Sequence, residues 1–331
     1  MINENFTEHK IYLMHQNDKV ALLKCFISNF SLIFSDIIEI YNYELLPLYV
    51  KENKHINNWY EYRCFSNDID GYNRIIHRLC GVSDSTTNRI YGAQTGISLF
   101  SYGANLTDKY WLNPIEPITF YSDIEDKSDL DEQIIFPSTY EKINFFTNPN
   151  ISKNFGIMFL QHYNFDIKIT DFRTPDICTD GNSKKRWLFI DNKYILQKIS
   201  HYNDQRITFL NFMKENHPDI IPEFVVKEIF IDGYAVKQSV IESQCITSLN
   251  TELISAYDII CSNPKNGSSL WEIFEKNFLT LGNIEQHRQL INALKHYSDS
   301  DLSKIHHFDN FGFLRDSNTK EIIKPVIWSL P

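Results

Sequence analysis

The stretch His306-His307-Phe308-Asp309-Asn310-Phe311-Gly312-Phe313-Leu314-Arg315-Asp316 has the pattern of a phosphoryl-transfer loop that lacks its catalytic acid. In such loops an Asp orients the attacking hydroxyl group, and an Asn five positions later binds magnesium. Asn310 takes the Asn position and is the one candidate magnesium ligand, whereas Ile305 stands at the Asp position. Isoleucine accepts neither a proton nor a hydrogen bond. The transfer chemistry is therefore absent or is carried out by another residue.

Composition limits the class of protein. The chain has 331 residues, of which 43% are hydrophobic, so it is long enough to bury a substantial core. Its net charge of -10 disfavours direct contact with nucleic acid or with an anionic membrane surface. The 6 cysteines show no paired spacing, which indicates free thiols rather than disulfides or a zinc site. With a polar start and no apolar run of membrane-spanning length, we expect a cytoplasmic protein.

Two hairpins are predicted in the middle of the chain. Residues 187–190 and 194–200 are β-type runs on either side of a short turn. Residues 224–231 and 234–241 flank Asp232-Gly233, a pair that favours a tight type I′ turn. These runs predict a small antiparallel sheet.

The pattern becomes helical after this sheet. We expect Thr251 to be the N-cap of a first helix. Apolar positions recur at helical spacing in two segments, one with Leu253, Ile254, Tyr257, Ile260 and Cys261, the other with Leu290, Ile291, Leu294 and Tyr297. A sheet lobe followed by a helical lobe, linked near residues 242–245, is the order found in kinases, where the nucleotide lies between the lobes.

Lys198 is the candidate phosphate-binding residue of the sheet. Strand alternation puts its side chain on the same face as Tyr194 and Leu196, and a loop with Gly181 and a basic run precedes the strand. Such a lysine can pair with nucleotide phosphates. The alternative is a strand lysine that extends to solvent, preceded by an exposed basic loop.

A metal-dependent hydrolase is a competing hypothesis. Residues 306–316, called the opening stretch below, and the segment before them are rich in potential metal ligands. These are His296, Asp299, Asp301, His306, His307 and Asp309. Their spacing fits no established zinc pattern, and a solvated transition from helix to loop explains them equally well. We predict no metal cluster.

Several segments match one family. In the N-terminal part they are Ile11-Tyr12-Leu13-Met14-His15 (an opening strand), Ile40-Tyr41-Asn42-Tyr43-Glu44-Leu45-Leu46-Pro47 (YN-x-E-x-LP), Asn105-Leu106-Thr107-Asp108-Lys109-Tyr110-Trp111-Leu112 (SLSDQYW) and Ile143-Asn144-Phe145-Phe146-Thr147-Asn148 (VNFFDN). The most specific match is Thr179-Asp180-Gly181-Asn182-Ser183-Lys184-Lys185-Arg186-Trp187 to TDGN-x-x-KRW. Further matches are Tyr194 to Ser200 (YLLKGS), Tyr202-Asn203-Asp204 (YNE), Thr251-Glu252-Leu253 (TEL) and the opening stretch (DRHLNNFGLIRD). Together these segments resemble the HipA-like Ser/Thr kinases, in particular the subgroup common in Gram-positive bacteria.

The resemblance implies a nucleotide site for ATP and magnesium. The residues that it assigns to this site are Thr179, Gly181, Asn182, Lys198, Asp204 and Asn310. Asp204 takes the place of the glutamate that pairs with the phosphate lysine, although its side chain is shorter.

The implied fold is α+β and bilobal, like HipA and protein kinases. It consists of an N-terminal α/β subdomain (1–150), a small antiparallel-sheet nucleotide lobe (151–242) and a reduced helical C-lobe (243–331), because family members continue with further helices.

Two carboxylates of the family pattern are missing. Ile305 replaces the catalytic Asp, and Trp328 replaces the second magnesium-binding Asp of PIFDSG. Losing groups that position charge typically costs orders of magnitude in rate. We therefore expect a pseudokinase: a cytoplasmic regulatory protein that engages a protein or peptide partner, with ATP in its cleft.

Three alternatives stay open. The first is an active kinase or other ATP-dependent transferase with a substitute acid such as Asp301 or Asp309. The second is one half of a split kinase, with an exposed apolar surface near Ile327, Trp328 and Leu330. The third is a toxin–antitoxin component, a role implied by the resemblance only.

Overall fold

The chain divides into two units, and both contain helices and antiparallel strands. The first unit consists of Met1–Leu46 and Lys54–Arg186, and the second consists of Pro47–Asn53 and Trp187–Pro331. The computed structural model describes residues 6–28, 31–63, 99, 102–104, 108–120, 132–134, 185–191, 193–200, 205–230, 235–248, 250–281, 284–298, 308 and 311–328. The strands are β1 (Thr7–His15), β2 (Asp18–Ser28), β3 (Ser31–Ile40), β4 (Tyr110–Pro114), β5 (Ile118–Phe120), β6 (Glu132–Ile134), β7 (Lys185–Ile190), β8 (Lys193–Ser200), β9 (Phe224–Ile229), β10 (Gln238–Gln244), β11 (Thr251–Ser255), β12 (Phe311–Asp316) and β13 (Ile322–Ile327). The helices are α1 (Leu48–Asn53), α2 (Ile56–Arg63), α3 (Gln205–Asn216), α4 (Ala256–Ser262), α5 (Leu270–Leu281) and α6 (Ile284–Ser298).

The first unit is built on a four-stranded antiparallel sheet with the order β3-β2-β1-β4. Ile11 and Leu13 are fully buried at alternating positions of β1, as expected of a strand with one covered face. This confirms the predicted opening strand. The turn after β1 is held by Trp111, whose indole N–H donates to the carbonyl of Gln16 at 2.6 Å.

The second unit contains the predicted antiparallel sheet, with the strand order β7-β8-β10-β9. The hairpin between β7 and β8 is confirmed, and Asp191 in its turn has a φ of 50°. Helix α3 connects β8 to β9. Leu210 and Met213 of this helix are buried in the same core cluster as Phe224 and Ile241 of the sheet.

The second hairpin is present, but its predicted register is wrong. A two-residue Asp232-Gly233 turn would pair Ile229 with Val236, whereas Ile229 pairs with Gln238. Ile229 and Gln238 are the last paired residues before the connection, and residues 231–234 lie outside the described part of the chain. Turn chemistry sets register only when both strands reach the turn, and here β9 ends at Ile229.

The first predicted helix begins later than expected. Leu253 and Ile254 lie in strand β11, not in a helix, because this segment pairs with β12. Ser255 is the actual N-cap of α4: its hydroxyl accepts a hydrogen bond from the amide of Asp258, whose carboxylate accepts one from the amide of Ser255. This reciprocal capping box satisfies two helix-end donors. The second predicted helix is confirmed as α6, with Leu290 and Leu294 buried.

The second unit also contains a three-stranded antiparallel sheet with the order β11-β12-β13. The second half of the opening stretch thus forms a strand, β12. Gly312 is required there, because a Cβ atom at this position would lie 2.0 Å from the carbonyl oxygen of Ile254 on β11. Sheet and helices share an aromatic core in which Phe278 and Phe313 stack with their ring centroids 3.9 Å apart.

The fold class is α+β, as predicted at that level. The core cluster of the second unit includes Ile241 as well as Ile254 and Phe274, so it extends across the predicted boundary at residue 242. The predicted boundary at residue 150 lies outside the described residues. Among the helices that the structure describes, none is both long and apolar enough to cross a membrane.

Candidate functional site

Lys198 is the predicted site residue that the structure describes. It lies on β8 opposite Ile241 of β10, and residues directly opposite in a ladder share a face. Ile241 belongs to the core cluster, so Lys198 projects from the core-facing side of the sheet. The residue is only 7% exposed. The alternative interpretation, a lysine that extends to solvent, is therefore wrong.

The burial of Lys198 has an energetic consequence. Taking an ammonium group out of water is costly unless anionic or hydrogen-bonding groups surround it, so lysines are rarely buried for packing alone. A strand lysine held on the inner face of a small sheet is the arrangement in which a lysine meets phosphate oxygens. Lys198 is thus a buried strand lysine on the face of the sheet that also carries core residues.

The opposite face of the same ladder carries a different set of charges. Gln197 is buried, and its amide donates to the carboxylate of Glu242 at 2.5 Å. The same carboxylate forms an ion pair with Lys227 of β9. This chain of contacts joins β8, β10 and β9 on the face away from Lys198. It fixes the strands that carry the lysine.

The other predicted residues of the nucleotide site lie outside the described residues. These are Thr179, Gly181 and Asn182 of the nucleotide loop, Asp204 before α3, and Asn310. Ile305, at the position of the catalytic Asp, also lies outside them. Helix α3 has no acidic residue in its first turn. Asp204, which directly precedes this helix in the chain, stays the predicted partner of the lysine.

Phe308, near the start of the opening stretch, is anchored in the core. The amide of Tyr257 at the start of α4 donates to the carbonyl of Phe308 at 3.1 Å. The Phe308 ring lies against Trp271, with 5.4 Å between the ring centroids, and against Phe311. Sequence reasoning missed this anchor, because the motif match directed attention to the polar residues around it.

Trp328 directly follows the strand that pairs with the opening stretch. Phe311 is opposite Ile327 at this end of the β12–β13 ladder, and Trp328, which is half-buried, comes next in the chain. The two segments to which the resemblance assigns magnesium ligands therefore meet at one end of a hairpin. A tryptophan offers no oxygen ligand for magnesium.

Two other motif residues form a structural cluster. Glu252 and Arg315 are opposite each other across β11 and β12, and the guanidinium Nε donates to the Glu252 carboxylate at 2.7 Å. The Lys320 ammonium donates to the same oxygen at 2.9 Å. Glu252 is fully buried. These residues hold the three-stranded sheet together, which gives the matched Glu252 and Arg315 a structural role.

Asp316, at the end of β12, orders the turn that follows. Its carboxylate accepts hydrogen bonds from the amides of Thr319 and Asn318, both at 2.8 Å. These bonds lower the pKa of Asp316, and Lys320 contributes to the shift. The turn places Lys320 where it reaches Glu252.

No family model, no curated protein and no solved structure matches this chain. The site therefore has to be interpreted from its own residues.

A metal site of the hydrolase type finds no support among the residues that the structure describes. They contain no group of three or more His, Cys, Asp or Glu side chains close enough to hold a metal ion. His296 lies in α6, and the other residues of the proposed ligand set lie outside the described part of the chain. The hydrolase hypothesis stays untested.

The apolar surface expected of a split kinase is not found at Ile327. This side chain is buried in the core cluster, and its amide donates to the carbonyl of Ile220 at 2.8 Å. Leu330 lies outside the described residues.

Proposed function

We propose that this protein is a HipA-like pseudokinase, a regulatory protein that binds ATP through Lys198, engages a protein or peptide partner, and transfers no phosphate. The observation that carries the proposal is the burial of Lys198 on the core-facing side of its sheet. A lysine in this position serves phosphate binding in kinases.

The order of elements around Lys198 supports the proposal. In protein kinases the phosphate-binding lysine is on a strand, and its acidic partner belongs to a helix of the same lobe. Here β8 carries the lysine, α3 follows it, and β9 and β10 complete the sheet in the order β7-β8-β10-β9. Asp204 is the acidic residue next to this helix in the chain.

Two positions support the loss of transfer chemistry. Ile305 and Trp328 take the places at which the resemblance expects the catalytic and the metal-binding carboxylate. Phosphoryl transfer depends on these groups for positioning and for charge stabilisation by magnesium. Without them, bound ATP acts as a structural or regulatory ligand.

A phosphate-transfer assay tests the proposal. The purified chain is incubated with γ-labelled ATP and magnesium, alone and with a generic protein substrate, next to the Lys198→Ala variant. We expect no label above background on either protein. Magnesium-dependent labelling of Thr179 or Ser183 that disappears in Lys198→Ala would identify an active kinase and overturn the pseudokinase proposal.

A further inference from the structure

Strand β9 is at the edge of its sheet in the part of the chain that the structure describes. It is the outermost strand of the order β7-β8-β10-β9, and β10 is its only backbone partner among the described residues. Half of the amide and carbonyl groups of an edge strand point away from the sheet and are available to another extended chain. Such edges are sites at which a peptide adds a further strand.

The edge of β9 carries two charged residues, Lys227 and Glu228, but lacks two other protections of sheet edges, a proline and a β-bulge. Its register with β10 is continuous over Phe224–Ile229, and the strand contains no proline. The edge strand of the first sheet differs: the β2–β3 ladder has two register shifts, and the amide of Phe34 is capped by the side chain of Asn57 at 2.8 Å. Bulges and caps of this kind prevent edge pairing. Within the described residues β9 has no such bulge or cap, so the backbone of this edge can pair with a further strand.

Apolar side chains lie exposed along the same edge. Val225 is 55% exposed, and Phe230, which directly follows the strand, is 73% exposed. Strand alternation puts Val225, Lys227 and Ile229 on one face. The Lys227 side chain is half exposed although it pairs with Glu242. A strand added at this edge would thus meet an apolar–basic–apolar row.

A second copy of this chain fits the edge poorly in the two registers that pair most of β9, which are centred on Val226 and Lys227. Two identical edges pair antiparallel about a two-fold axis perpendicular to the sheet, so residues of the same face lie opposite each other. In the register centred on Lys227, this lysine lies opposite the same lysine of the other copy. In the register centred on Val226, the side chains of Val225 and Phe224 lie opposite Lys227 and Glu228. Like charges directly opposite destabilise a pair of strands, and apolar–charged pairs add little.

We infer that the β9 edge binds an extended segment of a partner protein, with an acidic residue opposite Lys227 and apolar residues two positions away on either side. The acidic residue would form a cross-strand ion pair with Lys227, and the apolar residues would cover Val225 and Ile229. Backbone hydrogen bonds would supply affinity, and the side chains would supply selection. This inference deepens the partner-binding part of the proposed function and rests on it.

Two synthetic peptides that differ in one residue test the inference. The first has the β9 sequence itself, Phe-Val-Val-Lys-Glu-Ile, and the second replaces its Lys by Glu; both carry the same solubilising ends and a fluorophore. Binding to the full chain is measured by fluorescence anisotropy without nucleotide. A cross-strand charge pair contributes up to about 1 kcal/mol, so we expect about fivefold tighter binding of the Glu peptide.

Variants of the chain make the test specific. Lys227→Glu should reverse the preference between the two peptides. Val225→Ser should weaken binding of the Glu peptide several-fold, whereas Ile323→Ser, at an exposed β-branched residue of another sheet, should leave it unchanged. Two further versions of the Glu peptide are N-methylated, one at the even-numbered amides and one at the odd-numbered amides. Only alternate amides donate to the neighbouring strand, so one version should lose binding and the other should keep it.

Three outcomes would overturn the inference. One is equal affinity for the two peptides, and another is no binding up to millimolar concentration. The third is a dimer of the wild-type chain in analytical ultracentrifugation that Val225→Ser dissociates, since this would assign the edge to a second copy. Because nucleotide is omitted, failure of peptide binding leaves ATP binding by Lys198 standing, and failure of ATP binding leaves the peptide result standing.

Discussion

Replacement of Glu252 by glutamine removes one negative charge from the centre of the three-stranded sheet. Glu252 is 0% exposed, and one of its oxygens accepts hydrogen bonds from both Arg315 and Lys320, at 2.7 and 2.9 Å. The Glu252→Gln side chain has nearly the same shape, so it leaves no cavity. The two cations would then remain partly buried without their carboxylate.

The magnitude follows from the burial of the three groups. Breaking a buried ion pair by removing one partner costs about 3–5 kcal/mol, because the remaining charge is left uncompensated. Glutamine keeps one oxygen acceptor, and the side chains of Arg315 and Lys320 are 13% and 20% exposed, so partial hydration offsets part of the cost. We expect a loss of about 3 kcal/mol in the free energy of unfolding.

Urea unfolding, followed by far-UV circular dichroism and tryptophan fluorescence, measures this loss. With a slope near 3 kcal/mol per molar urea, the midpoint should fall by about 1 M. Glu272→Gln is the matched control, because that carboxylate pairs with Lys276 at 2.6 Å on an exposed helix surface. Exposed pairs contribute little to stability. Equal midpoint shifts for the two variants would refute the assignment of Glu252 as the charge that holds this sheet.

Three further predictions concern the same region. Gly312→Ala should destabilise the chain more than any exposed Gly→Ala change, because its Cβ would clash with the carbonyl of Ile254 at 2.0 Å; an unchanged urea midpoint would contradict this contact. Ser255→Ala removes the N-cap of α4 and should cost about 1 kcal/mol, while Ser255→Thr should keep most of the stability in the same titration. Asp316→Asn tests whether this carboxylate makes stability depend on pH. Hydrogen bonds from the amides of Thr319 and Asn318 lower the pKa of Asp316, so the ionised carboxylate stabilises the fold above its unfolded pKa near 3.8. The thermal midpoints of variant and wild type should therefore differ at pH 7 and converge as the pH falls through the lowered pKa, and a difference that stays constant down to pH 2 would argue against it.

Local sequence signals were sufficient where each segment packs as its own pattern demands. The β7–β8 hairpin and helix α6 follow from alternation and helical spacing, since buried residues such as Leu290 and Leu294 form one face. The segment at Leu253 failed because pairing with β12, distant in the chain, overrides its helical spacing. No local sequence pattern predicts that pairing. Glu252 was matched as a motif residue, yet its contact with Arg315 is a tertiary feature that spacing does not reveal.

The candidate site was predictable only in its lysine. Alternation put Lys198 on an apolar face, and its burial agrees with that face. Its depth of burial is a result of tertiary packing, which no short motif encodes. The anchoring of Phe308 against Trp271 likewise depends on a helix that sequence reasoning did not predict.

A thermal-shift titration tests most directly whether Lys198 binds the phosphates of ATP. Wild type, Lys198→Ala and the exposed control Lys265→Ala are heated with 0 to 10 mM ATP, with and without magnesium. Because a ligand at one hundred times its Kd stabilises the folded state by about 2.7 kcal/mol, saturating ATP should raise the Tm of wild type and of Lys265→Ala. We expect this rise to persist without magnesium and to be lost in Lys198→Ala. No shift at millimolar ATP, or an equal shift in Lys198→Ala, would contradict it.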